Sequence, residues 1–252
     1  MLNILKIIPY LKIWQKIKLN QKVFQKRMKY MYFDNNSDTL LIIFNAFGGE
    51  KPRYNYIRGL SDINTIDYLY ILDDFGYTGS YLLYEDGNNG VEKMTIALIN
   101  DIIKRKHYKQ ILTAGSSKGG TCAIYFGLIF NASAIFSGAC QYYLGSYLHR
   151  PDHELIFKGM MGKEAGSRDA ELLNSIMPNQ LEKYKKAYNG NIHIIYSKKD
   201  LTYERQLIDL LHQLASNNYN YYEIESDYER HEDIGRPFLK YLREYLTNGV
   251  EK

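Results

Sequence analysis

The sequence predicts an α/β fold: a mainly parallel sheet with helices on both faces and a small insertion over the sheet's carboxyl edge. Three observations carry this. Short apolar runs alternate with longer segments of helical periodicity along most of the chain. Several of those runs are apolar at nearly every position, as strands buried on both faces must be. The chain has 252 residues, 45% of them hydrophobic and 24% charged, which suffices for one large core in one α/β domain.

Residues 1–28 are expected to form a basic amphipathic helical segment ahead of the α/β domain at 29–252. Leu2, Leu5, Ile8, Leu11, Ile13, Trp14 and Ile17 recur at helical spacing between lysines, and Pro9 starts or kinks the helix. Residues 1–33 carry eight basic residues and no acid, a charge of +8, whereas the whole chain is +4; the remainder is therefore −4. A basic amphipathic helix suits peripheral contact with an anionic membrane. Packing on the protein's own body or on a partner is the alternative.

Next, "KYMYFD" and "TLLIIFNAF" flank the turn residues "NNSD" and read as a β-hairpin. "DYLYIL" is a short buried strand. "NNGVEKMTIALINDIIKRK" has an Asn cap and helical periodicity. "QILTAG" is a strand, "GGTCAIYFGLIF" an apolar helix, and "ASAIFSG" and "NIHIIYS" are strands. Residues 141–188 are less regular and form the expected insertion. "TYERQLIDLLHQLASN" is a helix, "YNYYEIE" the last strand and "IGRPFLKYLREYL" the closing helix.

Several function classes lose support. The body is mildly acidic and has no zinc-finger spacing, RNP-like motif or basic heptad helix, so no nucleic-acid partner is expected. Cys122 and Cys140 sit among apolar or small residues without metal-ligand spacing, which predicts reduced, buried thiols. The apolar runs are far shorter than the ~20 residues of a membrane span. Lys6 and Lys12 interrupt the only signal-peptide-like stretch. The expected location is cytoplasmic, with peripheral contact at the inner membrane face through residues 1–28.

Gly115-Ser116-Ser117-Lys118-Gly119 fits G-x-S-x-G and stands between a strand and a helix, the context that motif requires. A sharp strand-to-helix turn admits only small neighbours, which accounts for the glycines. It lifts Ser117 above the sheet edge at a helix amino end, where partial positive charge favours an oxyanion. A phosphate loop is excluded, because Lys118 precedes Gly119 and Gly120 instead of following a glycine. An inert Gly-rich turn is the bland alternative.

A nucleophilic serine needs a base and an orienting acid, in this architecture in the order Ser, acid, His. His107 precedes the serine. His149 and His153 fall in the irregular insertion, His193 alternates within a strand as a core or sheet-face residue, and His212 is mid-helix and solvated. His231 follows the last strand in "SDYERHED", where such sheets hold their chemistry, and is the expected base. Asp200 ends "NIHIIYSKKD" and is the expected acid, although it also suits a helix N-cap. Asp227 and Asp233 are rivals too near His231 in sequence to form a buried, oriented pair. The oxyanion hole is expected from the backbone N–H groups of Lys118 and of Phe47, in the loop "NAFGGE".

These residues resemble the α/β-hydrolase superfamily over about residues 38–246. "FNAFGG", "GSSKGG", "FSGACQYYLGSYL", "MMG" and "YSKKD" are similar, more narrowly, to bacterial hydrolase-fold proteins of capsular-polysaccharide biosynthesis and of accessory-Sec glycan O-acetylation. The resemblance implies Ser117 as nucleophile, His231 as base and Asp200 as orienting acid. It implies acyl transfer or ester cleavage on a carbohydrate-linked ester near the inner face of the membrane. The loop at Asn45-Ala46 departs from the His-Gly common in the superfamily, which bears on Phe47. The mechanism needs no metal or redox cofactor, and the expected partner is an ester or other acyl donor. Water as acceptor gives an esterase, a sugar hydroxyl an O-acyltransferase. A hydrolase-fold scaffold without turnover, binding a glycan or a membrane-associated partner, is the reading from another class. Tyr77, Tyr81, Tyr142, Tyr143 and Tyr147 are of a type that stacks on sugars, but packing is their expected role.

Overall fold

The computed structural model describes residues 4–49 and 51–248. Eight strands form one sheet: β1 (Gln21–Phe24), β2 (Met28–Phe33), β3 (Thr39–Phe44), β4 (Asp67–Leu72), β5 (Gln110–Ser116), β6 (Ala134–Gly138), β7 (Asn191–Tyr196) and β8 (Asn220–Glu225). Their spatial order is β1-β2-β4-β3-β5-β6-β7-β8. The β1–β2 and β2–β4 pairings are antiparallel and all others parallel. This is the α/β-hydrolase arrangement, and the expected fold class holds.

Strand alternation divides the core in two. Leu40, Ile42 and Phe44 of β3 face one layer, with Leu98, Ile99 and Ile102 of helix α2 (Gly90–Arg105) and Ala123, Ile124 and Phe126 of α3 (Lys118–Ile129). Leu41 and Ile43 face the other layer, with Ile57, Leu60 and Ile63 and, from the closing helix (Gly235–Asn248), Phe238 and Leu242. β4 is buried at all six positions, as a central strand covered on both faces should be.

Two differences from expectation have local causes. β2 and β3 do not form a hairpin. β2 pairs with β1 and β4, while β3 crosses to the far side of β4, between β4 and β5. The "NNSD" turn instead wraps the start of β4. The N–H groups of Asn35 and Ser37 donate to Asp67 Oδ1 at 2.8 and 3.1 Å. Buried Asp67 also takes Lys106 Nζ at 2.8 Å and the Tyr108 hydroxyl at 2.7 Å. Within residues 1–28, α1 (Ile4–Asn20) is followed by β1, so the helical segment ends before residue 21, and Met28 already belongs to β2. Residues 1–3 lie outside the described residues.

Between β6 and β7 the chain forms α4 (Leu144–Leu148), α5 (Glu154–Met161) and α6 (Ser167–Tyr184). The region expected to be irregular is thus largely helical. Gly162, at φ 98°, breaks α5, and Asp169 Oδ2 accepts the Gly166 N–H at 2.8 Å at the start of α6. After β7 comes a π-helical turn (Tyr203–Leu207) and α7 (Ile208–Ser216); α8 is the closing helix.

Candidate active site

Every parallel strand delivers a polar residue to the same edge of the sheet. Asn45 follows β3, Asp73 β4, Ser117 β5, Gln141 β6, Asp200 β7 and His231 β8. The carboxyl ends of parallel strands form the crevice where such sheets bind ligands.

Ser117 sits at φ 51°, ψ −125°, a region that costs a non-glycine residue about 1–3 kcal/mol. The glycines around it have a steric explanation. A Cβ on Gly115 would collide with the carbonyl of Gly119, and a Cβ on Gly119 with the carbonyl of Phe44. The motif's two outer glycines therefore pack on each other, and the second also lets the β3 loop close against the serine turn. The Ser117 N–H donates to Gly138 O at 2.7 Å, which anchors the turn to β6.

The Ser117 hydroxyl lies 2.8 Å from His231 Nε2, and His231 Nδ1 lies 2.9 Å from Asp200 Oδ2. Asp200 uses both oxygens: Oδ1 accepts the Thr202 N–H at 2.9 Å, so it caps the next turn and faces the imidazole at once. Thr202 Oγ1 also stands 2.9 Å from His231 Nδ1. Burial would raise the pKa of Asp200, but hydrogen bonds from His231 and the Thr202 N–H outweigh it, and the carboxyl titrates below its ordinary range. Ser117 is 8% exposed and Asp200 3%. The rival acids are engaged elsewhere, Asp227 with Lys199 at 2.6 Å and Asp233 with Arg230 at 3.1 Å. His193 is buried, its Nδ1 2.8 Å from the Tyr241 hydroxyl, and His212 is exposed.

Lys118 opens α3, so its backbone N–H is among those without an intrahelical partner. Its side chain is fully buried and meets Asp73 Oδ2 at 2.7 Å. Asp73 also accepts the Ser80 N–H at 2.8 Å, while its own N–H donates to Asn45 Oδ1 at 2.7 Å. Lys118 Nζ stands 5.5 Å from the centre of the Phe47 ring. The ion pair therefore ties the serine turn to the β3 loop. In that loop the Ala46 N–H is taken by Asn55 Oδ1 at 2.9 Å, and Phe47, half-buried, packs edge-on against Tyr81.

Sequence reasoning did not single out Gln141, Thr202, Asp73 or Gln206. The Gln141 amide Nε2 reaches Ser117 Oγ at 3.3 Å. The π-helical turn aims Gln206 Oε1 at the N–H groups of Tyr142 and Tyr143, at 2.9 and 2.7 Å. Asp73 alone left a signal, as an acid ending a buried strand. Tyr81 and Tyr142 are buried, and Tyr77 is 58% exposed. Burial pushes the Cys122 and Cys140 thiols up to about 12 and about 11, which makes both inert at neutral pH.

A cleft of about 600 Å³ is lined by His231 and Asp200 together with Tyr147, Arg150, Arg205 and Arg230. Its size is that of an ordinary small-molecule site. Glu229 and Glu232 line it too, so its charge is mixed.

No protein-family model matches this chain, and no curated protein does by sequence. Solved structures do. The chain is similar to the capsule O-acetyltransferase of Neisseria meningitidis serogroup A, at 20% identity and a TM-score of 0.73, over 90% of this chain and 94% of that one. A histidine-to-alanine variant of that enzyme, in complex with CoA, superposes with a TM-score of 0.70 at 21% identity, over the same shares of the two chains. The Glycosylation Associate Protein (Gap123) complex from Streptococcus agalactiae matches over 92% of this chain and 47% of that chain, at 20% identity and a TM-score of 0.71. The acylaminoacyl peptidase of Pyrococcus horikoshii matches over 90% of this chain and 40% of that chain, at 15% identity and a TM-score of 0.63. The chain has the α/β-hydrolase fold.

Proposed function

We propose that the protein is a serine O-acyltransferase that passes an acyl group from a thioester or ester donor to a carbohydrate hydroxyl. The observation that carries this is the unbroken run of contacts from Ser117 Oγ through His231 to Asp200, at 2.8 and 2.9 Å. Ser117 Oγ attacks the donor's carbonyl carbon while His231 Nε2 takes its proton. The carbon–sulfur or carbon–oxygen bond breaks, and His231 returns the proton to the leaving group. The acceptor hydroxyl then gives its proton to His231 as its oxygen attacks the acyl-serine. The bond to Oγ breaks and Ser117 recovers its proton. Asp200, held ionised by its hydrogen bonds, orients the imidazole and stabilises the imidazolium. The N–H groups of Lys118 and Phe47 form the oxyanion hole.

Transfer to a sugar, in glycan or polysaccharide biosynthesis, is supported by the likeness to a capsule O-acetyltransferase and to a glycosylation-associated complex. The CoA complex of the former supports a thioester donor. The test is incubation with acetyl-CoA, with and without bacterial capsular oligosaccharides, following free thiol and acetylated sugar. Sugar acetylation by wild type and none by Ser117→Ala is expected. Thiol release independent of every sugar tested, with no acetylated product, would make the protein a hydrolase instead.

We also propose that the amino-terminal end docks on an anionic membrane surface. Among the described side chains of α1 and β1, Leu11, Trp14, Leu19 and Val23 are exposed beside exposed Lys18 and Lys22. Exposed apolar groups interleaved with lysines match that surface. No helix among the described residues is long and apolar enough to cross a membrane.

A further inference from the structure

Gln141 is fully buried, and an unpaired amide there would be costly. Each of its polar groups has a partner. Its N–H donates to Thr121 Oγ1 at 3.0 Å and its carbonyl accepts the Thr121 hydroxyl at 2.9 Å. Its side-chain Oε1 accepts the Tyr81 hydroxyl at 3.2 Å, and Nε2 donates to Ser117 Oγ at 3.3 Å. The next two residues are clamped by Gln206 from the far side of the site. The amide is thus held from α3, from the loop carrying Tyr81 and from the π-helical turn.

The chemistry of Ser117 Oγ selects the amide's orientation. The hydroxyl has one proton and two lone pairs. Its proton goes to His231 Nε2, so a neighbour at Oγ must be a donor. The flipped amide would present its carbonyl to Oγ and compete with His231 for the same proton. The Tyr81 hydroxyl, kept protonated by burial, satisfies the carbonyl end. One lone pair of Oγ then accepts from Gln141, and the other remains for attack.

We propose that Gln141 is a further catalytic residue, donating a hydrogen bond to Ser117 Oγ whenever that oxygen gathers negative charge. This rests on the acyl-serine reading. Charge gathers on Oγ twice: as His231 withdraws the proton during attack, and as Oγ leaves the acyl-enzyme. The oxyanion hole serves a different atom, the former carbonyl oxygen. A hydrogen bond to a charged oxygen is stronger than one to a neutral hydroxyl, so the contact is worth more in the transition states than at rest. A glutamine that merely filled the core would show no such difference.

The test is the rate of Ser117 phosphonylation by a fluorophosphonate, with p-nitrophenyl acetate turnover alongside. Gln141→Leu keeps the volume and removes the donor; a drop of about ten- to hundredfold in both rates, with KM within about twofold of wild type, is expected. Gln141→Glu guards against a variant that fails to fold. Its carboxylic acid donates only while protonated, so its labelling rate should fall as pH rises, a limb absent from wild type. Unchanged rates in folded Gln141→Leu, or a Gln141→Glu pH profile parallel to wild type, would overturn the role of Gln141 alone. A wild type that is not phosphonylated at Ser117 would instead overturn the acyl-serine reading.

Discussion

Lys118 does two jobs with two parts of one residue. Its backbone N–H stands next to the serine, while its side chain reaches back into the interior to a buried carboxylate. Removing one partner of such a pair leaves a charge with nothing to balance it, at about 3–5 kcal/mol. Lys118→Met should therefore lower unfolding stability by that order in urea titrations, with a smaller loss when Asp73→Leu is combined with it. Asp200→Asn preserves shape but not charge, and the asparagine can hold the wrong imidazole tautomer. Activity should drop by about four orders of magnitude with little change in melting temperature. Gly119→Ala places a methyl against the Phe44 carbonyl, so the β3 loop must retreat. If that loop carries the proposed oxyanion donor, the rate loss should appear in kcat more than in KM.

Among the elements, those with one unambiguous period were legible. The buried central strands, the apolar helix α3 and the two-faced helices α2, α7 and α8 announce themselves through burial on one or both sides. β1 did not, because its four residues "QKVF" are exposed or half-buried and continue the lysine-rich pattern of the helix before them. The β2–β3 connection looked like a hairpin because turn residues report a reversal but not which neighbour a strand takes. The buried pattern of β3 wins it a central place, and Asp67 at the start of β4 holds the turn that gets it there. His193 on β7 was legible as a core or sheet-face residue, and it is buried. It stacks between Phe136 and Tyr222 at 4.8 and 4.9 Å, and burial lowers its pKa from 6.5 to about 4. The unfolded chain therefore binds the proton first as pH falls. The stabilising contribution of neutral His193 is present above 6.5 and lost as pH falls through about 4. Wild type should lose up to roughly 3 kcal/mol over that window relative to His193→Phe, measurable by denaturant unfolding across pH.

The whole molecule has a polar sheet edge, formed by six strand ends, and an amino-terminal basic end formed by α1 and β1. The convergence of Ser117, Asp200 and His231 was readable because each follows a parallel strand and so reaches the same sheet edge. Gln141 and Thr202 were not, since their parts depend on side-chain directions that no spacing encodes. At this scale, Lys18→Glu combined with Lys22→Glu should weaken binding to phosphatidylserine vesicles by about 2 kcal/mol or more, at roughly 1 kcal/mol for each lysine lost. Flotation with neutral vesicles should show no difference. Equal binding of wild type and variant to anionic vesicles would remove the membrane proposal and leave catalysis untouched.

The most direct measurement is the mass of the intact protein quenched in acid during turnover of p-nitrophenyl acetate. One added acetyl group that maps to Ser117 by peptide sequencing, and is lost in Ser117→Ala, is the predicted result. Folded, active wild type that carries no acetyl group under any quench, or a Ser117→Ala variant that still turns over at the wild-type rate, would contradict it.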